Sequence, residues 1–105
     1  MHPIAQVLVV DDEPDLRKIL RILLESNRYA VTEAASGEAA IAAVRTDPKI
    51  ELILLDILMP GLSGTEACVQ IRQFTNAPIL FLTALTQETD KAVAYRSGGD
   101  DYLAK

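Results

Sequence analysis

The chain has 105 residues, 50% of them hydrophobic and 24% charged, the size and balance of one globular domain with a single core. No apolar run approaches the roughly 18 residues that cross a bilayer, and the first six residues lack the basic-then-apolar order of a signal peptide, so a cytoplasmic protein without membrane attachment is expected. A net charge of −5 with no basic stripe argues against direct nucleic-acid binding by these residues.

Residues 7–10 (VLVV) begin the pattern. They are apolar at successive positions, as in a parallel strand covered on both faces. Asp11, Asp12 and Glu13 follow, and Pro14 suits the first turn of a helix in which Leu16, Ile19, Leu20 and Leu23 recur at i, i+3, i+4 and i+7. Residues 30–32 read as a second strand. Ser36 can cap a second helix through Ala39, Ala40, Ala43 and Val44, which ends before the Asp47-Pro48 turn signal. A third strand at residues 52–55 runs into Asp56. Ser63 and Glu66 have capping-box spacing ahead of Ala67, Val69, Gln70 and Ile71, which starts a third helix. Residues 79–82 form the fourth strand, followed by Thr83. Thr86 can cap a fourth helix, and Gly98 and Gly99 can end it with the positive φ that glycine tolerates. A short fifth strand at residues 102–104 leads to Lys105. Cys68 falls in an apolar-periodic segment and reads as a small buried thiol without a role. His2, alone near the terminus, reads as a surface residue.

Strict alternation of strands and helices with short connections predicts right-handed crossovers and a doubly wound, five-stranded parallel sheet, an α/β fold. In such sheets the site lies beyond the carboxyl ends of the strands. Asp11 and Asp12 follow the first strand, Asp56 the third, Thr83 the fourth and Lys105 the last. Each has an ordinary reading by itself: an acidic pair compensates a helix N-terminus, threonine favours strands, and a lysine is usually a solvated charge. Their joint placement at one edge changes the reading. Asp11, Asp12 and Asp56 gathered in one crevice would repel one another unless a cation neutralised them. Mg²⁺ suits them, because it prefers carboxylate oxygens, keeps several waters and bridges carboxylates to phosphate.

Four ordered segments carry a resemblance: Val9-Val10-Asp11-Asp12-Glu13; Leu54-Leu55-Asp56-Ile57-Leu58-Met59-Pro60-Gly61, with Gly64 beyond; Leu82-Thr83-Ala84; and Gly99-Asp100-Asp101-Tyr102-Leu103-Ala104-Lys105. Together they resemble the receiver domains of bacterial two-component response regulators, a flavodoxin-like, CheY-like fold with strand order 2-1-3-4-5, over residues 7–105. The resemblance implies that Asp56 accepts a phosphoryl group from a phosphohistidine on a sensor histidine kinase. It also implies that Asp12 and Asp56 ligate Mg²⁺ directly, Asp11 through a water, and Leu58 through its main-chain carbonyl. Thr83 would hydrogen-bond the phosphoryl group, and Lys105 would pair with Asp56 before transfer and with the phosphoryl group after it. Ala84 would leave the acceptor reachable, and Tyr102 would turn inward as Thr83 moves, changing the surface of the fourth helix and fifth strand. That surface is where the resemblance puts contact with an output domain, a partner protein or a second copy. Leu58 and Leu85, two residues past Asp56 and Thr83, cannot orient water by hydrogen bonding, which implies slow loss of the phosphoryl group.

The Gly-Asp-Asp-Tyr-Leu segment and Asp90-Lys91 look most like the winged-helix transcription regulators (OmpR/PhoB type), so the signal is expected to reach transcription through a separate DNA-binding domain. The alternative is a stand-alone receiver acting by protein–protein contact. Receivers normally continue Lys-Pro and add a fifth helix after Lys105, so residues 1–105 read as a receiver domain truncated before its last helix. Two rivals fit less well. Phosphohydrolases with an aspartyl nucleophile place it after the first strand in Asp-x-Asp, whereas Asp11 and Asp12 are adjacent here and residue 13 is Glu. Receiver-like domains that no longer take phosphate lack an acidic, hydroxyl or lysine position, and this chain has them all. Dinucleotide binding fails because no glycine-rich turn follows the first strand.

Overall fold

The computed structural model describes residues 3–83, 98–99 and 101–104, with Thr83 and residues 101–104 described by their backbone alone. Five strands, β1 (Gln6–Val10), β2 (Ala30–Ala34), β3 (Leu52–Asp56), β4 (Ile79–Thr83) and β5 (Asp101–Ala104), form one sheet in the order β2-β1-β3-β4-β5. Every pairing is parallel, as the sequence pattern predicts. Parallel neighbours require crossovers, and the described ones run through α1 (Pro14–Ser26), α2 (Gly37–Thr46) and α3 (Gly64–Ile71). The predicted fourth helix with Thr86, and the positions of His2, Ala84, Leu85, Asp100 and Lys105, lie outside the described residues.

Local chemistry sets the helix boundaries. Pro14 occupies the first turn of α1, where its missing N–H costs no helical bond. Ser36 Oγ accepts from the Ala39 N–H at 3.1 Å and starts α2. Ser63 and Glu66 form the full reciprocal capping box at α3, a device that satisfies two otherwise orphaned donors. Gly98 has φ +109°, which glycine alone adopts without strain. Gly99 has no positive φ, contrary to the expected helix ending; it is small because a Cβ there would collide with the Phe81 ring.

The pleat sends alternate residues of each strand to opposite faces. Leu8, Val10, Ile53, Leu55, Ile79 and Phe81 point to the side of α2 and α3, where they pack with Ala40, Val44, Ala67, Cys68 and Ile71. Cys68 is buried, as expected. Val7, Val9, Leu54 and Leu82 point to the α1 side and meet Leu20 and Leu24. Burial of both sets explains why β1 and β3 are apolar at consecutive positions, while the edge strand β2 carries Thr32 and Glu33. Among the described residues no helix is long and apolar enough to cross a membrane.

Candidate functional site

Register brings the predicted carboxylates to one edge. Val10 pairs with Leu55 across β1 and β3, so Asp11 and Asp56 are the next residues along these neighbouring strands, at the same level. Both are almost wholly buried, at 0% and 1% exposure, beneath the carboxyl ends of the strands. Asp12 reaches solvent beside them, and ligand oxygens of Asp11, Asp12 and Asp56 all lie within 4.8 Å of one another. Two oxygens on one Mg²⁺, with bonds of about 2.0–2.1 Å, are separated by roughly 3–4 Å. The three hard donors therefore suit such an ion by chemistry, and a spread of up to 4.8 Å, a little wider than one Mg²⁺ spans, would suit two direct ligands with the third reaching the metal through a water. Two buried carboxylates this close to a third concentrate negative charge where little water screens it, and a divalent cation would offset that repulsion.

The turns after β1 and β3 hold these side chains. Asp11 Oδ1 accepts from the Glu13 N–H at 2.9 Å, which folds the chain back before α1. Asp56 Oδ1 accepts from the Leu58 N–H at 3.2 Å, so the main chain at Leu58 runs beside the Asp56 carboxylate. The Ile57 N–H donates to the Leu82 carbonyl at 3.2 Å, and Gly64 N–H donates to the Ile57 carbonyl at 2.9 Å. Those two bonds clamp Ile57, the residue following Asp56, between β4 and α3. Gly64 is there for space: a Cβ would collide with the main-chain carbonyl oxygen of Asp56. Gly61 has φ +74° and supplies the bend between β3 and α3.

Thr83 ends β4, one residue past the pairing of Asp56 with Leu82, and pairs in turn with Ala104 of β5. Its backbone thus stands one step beyond Asp56, at the same edge. Tyr102 lies in β5 opposite Phe81. Lys105 is outside the described residues. Sequence reasoning missed Arg17, whose Nη1 donates to the Asp11 main-chain carbonyl at 2.7 Å while its Nε bonds Glu33 Oε1 at 3.1 Å. The only trace of this in the sequence is an arginine four residues past Glu13 on the first turns of α1; its partner on β2 is visible only in three dimensions.

An α/β sheet of this order with three carboxylates at its carboxyl edge defines a class of protein. Residues 7–105 match the response regulator receiver domain family, and the chain belongs to it. It is 44% identical over 101 residues to the transcriptional regulatory protein ResD of Bacillus subtilis (strain 168), covering 96% of this chain and 42% of that protein. The chain thus spans about two-fifths of the length of this curated relative. Among solved structures it is similar to a response regulator from Burkholderia pseudomallei with a phosphorylated aspartic acid, calcium ion and citrate (TM-score 0.90, 29% identity, 96% of this chain, 59% of that one). It is also similar to a chain of the CheX-CheY-BeF3-Mg complex from Borrelia burgdorferi (TM-score 0.90, 29% identity, 96% and 78%). A receiver domain is a signalling switch, and the chain is one.

Proposed function

We propose that this receiver accepts a phosphoryl group on Asp56 from a phosphohistidine of a sensor histidine kinase. The observation that carries the reading is the buried Asp56 carboxylate, within 4.8 Å of the Asp11 and Asp12 oxygens at the open end of the sheet. A carboxylate oxygen of Asp56 attacks phosphorus in line, the P–N bond to the kinase imidazole breaks, and the electron pair leaves with that nitrogen. Asp12 and Asp56 would hold Mg²⁺ directly, Asp11 through water, and Leu58 by its main-chain carbonyl. The metal, when bound, supplies positive charge against the equatorial phosphoryl oxygens. Asp11 and Asp56 start preorganised, since each has a side-chain oxygen held by a backbone N–H two residues on.

In the same reading the Thr83 hydroxyl and the Lys105 ammonium take two of the phosphoryl oxygens. Movement of Thr83 then frees space for Tyr102, and the changed surface of the fourth helix and β5 is what an output domain, a partner protein or a second copy reads. The output is transcription in the cytoplasm, through a separate DNA-binding domain of the winged-helix group; the description of ResD as a transcriptional regulatory protein supports this over a stand-alone receiver. The test is intact mass after incubation with Mg²⁺ and a small phosphoryl donor. Wild type gains one phosphoryl group, Asp56→Asn gains none, and Thr83→Ala is labelled almost as wild type while its conformational response weakens. Labelling of the Asn variant at the same peptide would overturn the assignment.

A further inference from the structure

The peptide joining Asp11 to Asp12 carries two of the three pocket carboxylates, one at each end, so its orientation governs where both are presented. That peptide is held from outside the pocket. Its carbonyl oxygen accepts from Arg17 Nη1 at 2.7 Å, and the N–H of Asp11 on the other side donates to the Ala34 carbonyl at 3.2 Å. Arg17 is itself aimed by Glu33, whose Oε1 takes the Arg17 Nε at 3.1 Å. Glu33 stands on β2 opposite Val9, two residues before Asp11 on the neighbouring strand. Arg21, one turn along α1, approaches the same carboxylate, with its Nε 2.9 Å from Glu33 Oε2. Its Nη2 donates to the Val31 carbonyl at 3.0 Å, away from the pocket peptide. The two arginines therefore share a counter-charge, and the one bonded to the Asp11 carbonyl is the less exposed, 17% against 37%.

We propose that Arg17, aimed by Glu33, is a positioning residue of the acidic pocket: it fixes the Asp11–Asp12 peptide so that both carboxylates face Mg²⁺ together with Asp56. The inference rests on reading this pocket as a Mg²⁺ site. One planar guanidinium spans two acceptors in different directions, a task that a lysine ammonium on a flexible stem performs poorly. Charge alone predicts the opposite sign. A cation beside a metal site repels the metal, so removing Arg17 would tighten Mg²⁺ binding if its charge were all that mattered, and would weaken it if its hydrogen bond sets the geometry.

The test is calorimetric titration of MgCl₂ into the full chain, for wild type, Arg17→Met, Arg17→Lys, Glu33→Gln and Arg21→Met. Outer-shell partners of metal ligands are worth about 10–100-fold in affinity, and the expected result is a loss of roughly tenfold, the low end, for Arg17→Met. Arg17→Lys and Glu33→Gln should lose less, and Arg21→Met should stay within about twofold of wild type. Unchanged or tighter binding by Arg17→Met, with wild type binding normally, overturns the positioning role and leaves the metal site standing. Equal weakening by Arg17→Met and Arg21→Met overturns it too, since it would reflect loosening of α1 as a whole. A wild-type chain that takes no Mg²⁺ overturns the metal-site reading and this inference with it. Should Arg17→Met fail to fold, Arg17→Lys and Glu33→Gln against Arg21→Met decide the same question.

Discussion

The two faces of the sheet are packed differently. On the side of α2 and α3 small residues at the contacts, Ala40, Ala67 and Cys68, let the helices lie close, and all three are 0% exposed. On the other side α1 has no buried residue, and its Ile19, Ile22 and Leu23 are each more than half exposed among the described residues. The difference teaches that the two turns carrying the carboxylates are held by different means, the Asp56 turn by close backbone packing and the Asp11–Asp12 turn by a long polar side chain. The helix packed on the tighter face, α3, touches the Asp56 backbone through Gly64, whereas α1 reaches the pocket through Arg17.

Substitutions can sharpen that contrast. Phe81 is the largest fully buried side chain among the described residues and lies on the tight face; Phe81→Ala should cost about 3–5 kcal/mol in urea unfolding. Gly64→Ala, which drives a methyl group into the Asp56 carbonyl, should cost about 3 kcal/mol, the upper part of the usual overpacking range, and should slow phosphoryl uptake as well. Leu23→Ala on α1, at 56% exposure, should cost under about 1 kcal/mol. A loss at Leu23 as large as that at Phe81 would break the comparison outright.

The smallest effect on stability, and a separate effect on rate, is expected at Leu58. Its side chain is 56% exposed although its N–H donates to the Asp56 carboxylate. Leu58→Asn should change stability by less than about 0.5 kcal/mol while shortening the life of the aspartyl phosphate, because an amide can orient the hydrolytic water that leucine cannot. Decay followed by intact mass, alone and combined with Leu85→Gln, measures this; unchanged decay in the double variant would show that water reaches phosphorus by another route.

Much of the molecule was legible in the amino-acid order because the signals are local. Runs of consecutive apolar residues named the interior strands, Ser36 and the Ser63-Glu66 pair marked helix starts, and Pro14 marked a third. Acidic residues immediately after two such runs placed Asp11, Asp12 and Asp56 at one edge, since a parallel sheet carries all its strand ends the same way. The resemblance to receivers then supplied roles that spacing alone could not.

Tertiary structure decided the rest, wherever a residue's meaning depends on a partner distant in sequence. Gly64 stood in a motif without a reason until α3 was seen to lie against the Asp56 carbonyl. Gly99, expected as a left-handed helix ending, is small instead because the Phe81 ring occupies the space above it. Arg17 and Glu33 are 16 residues apart and look like ordinary surface charges in the sequence. Only the parallel register of β1 with β2, and the seat of α1 above them, brings that pair to the peptide between Asp11 and Asp12. Side-chain period and caps are written residue by residue, but a hydrogen bond between elements exists only once packing has fixed the distance between them.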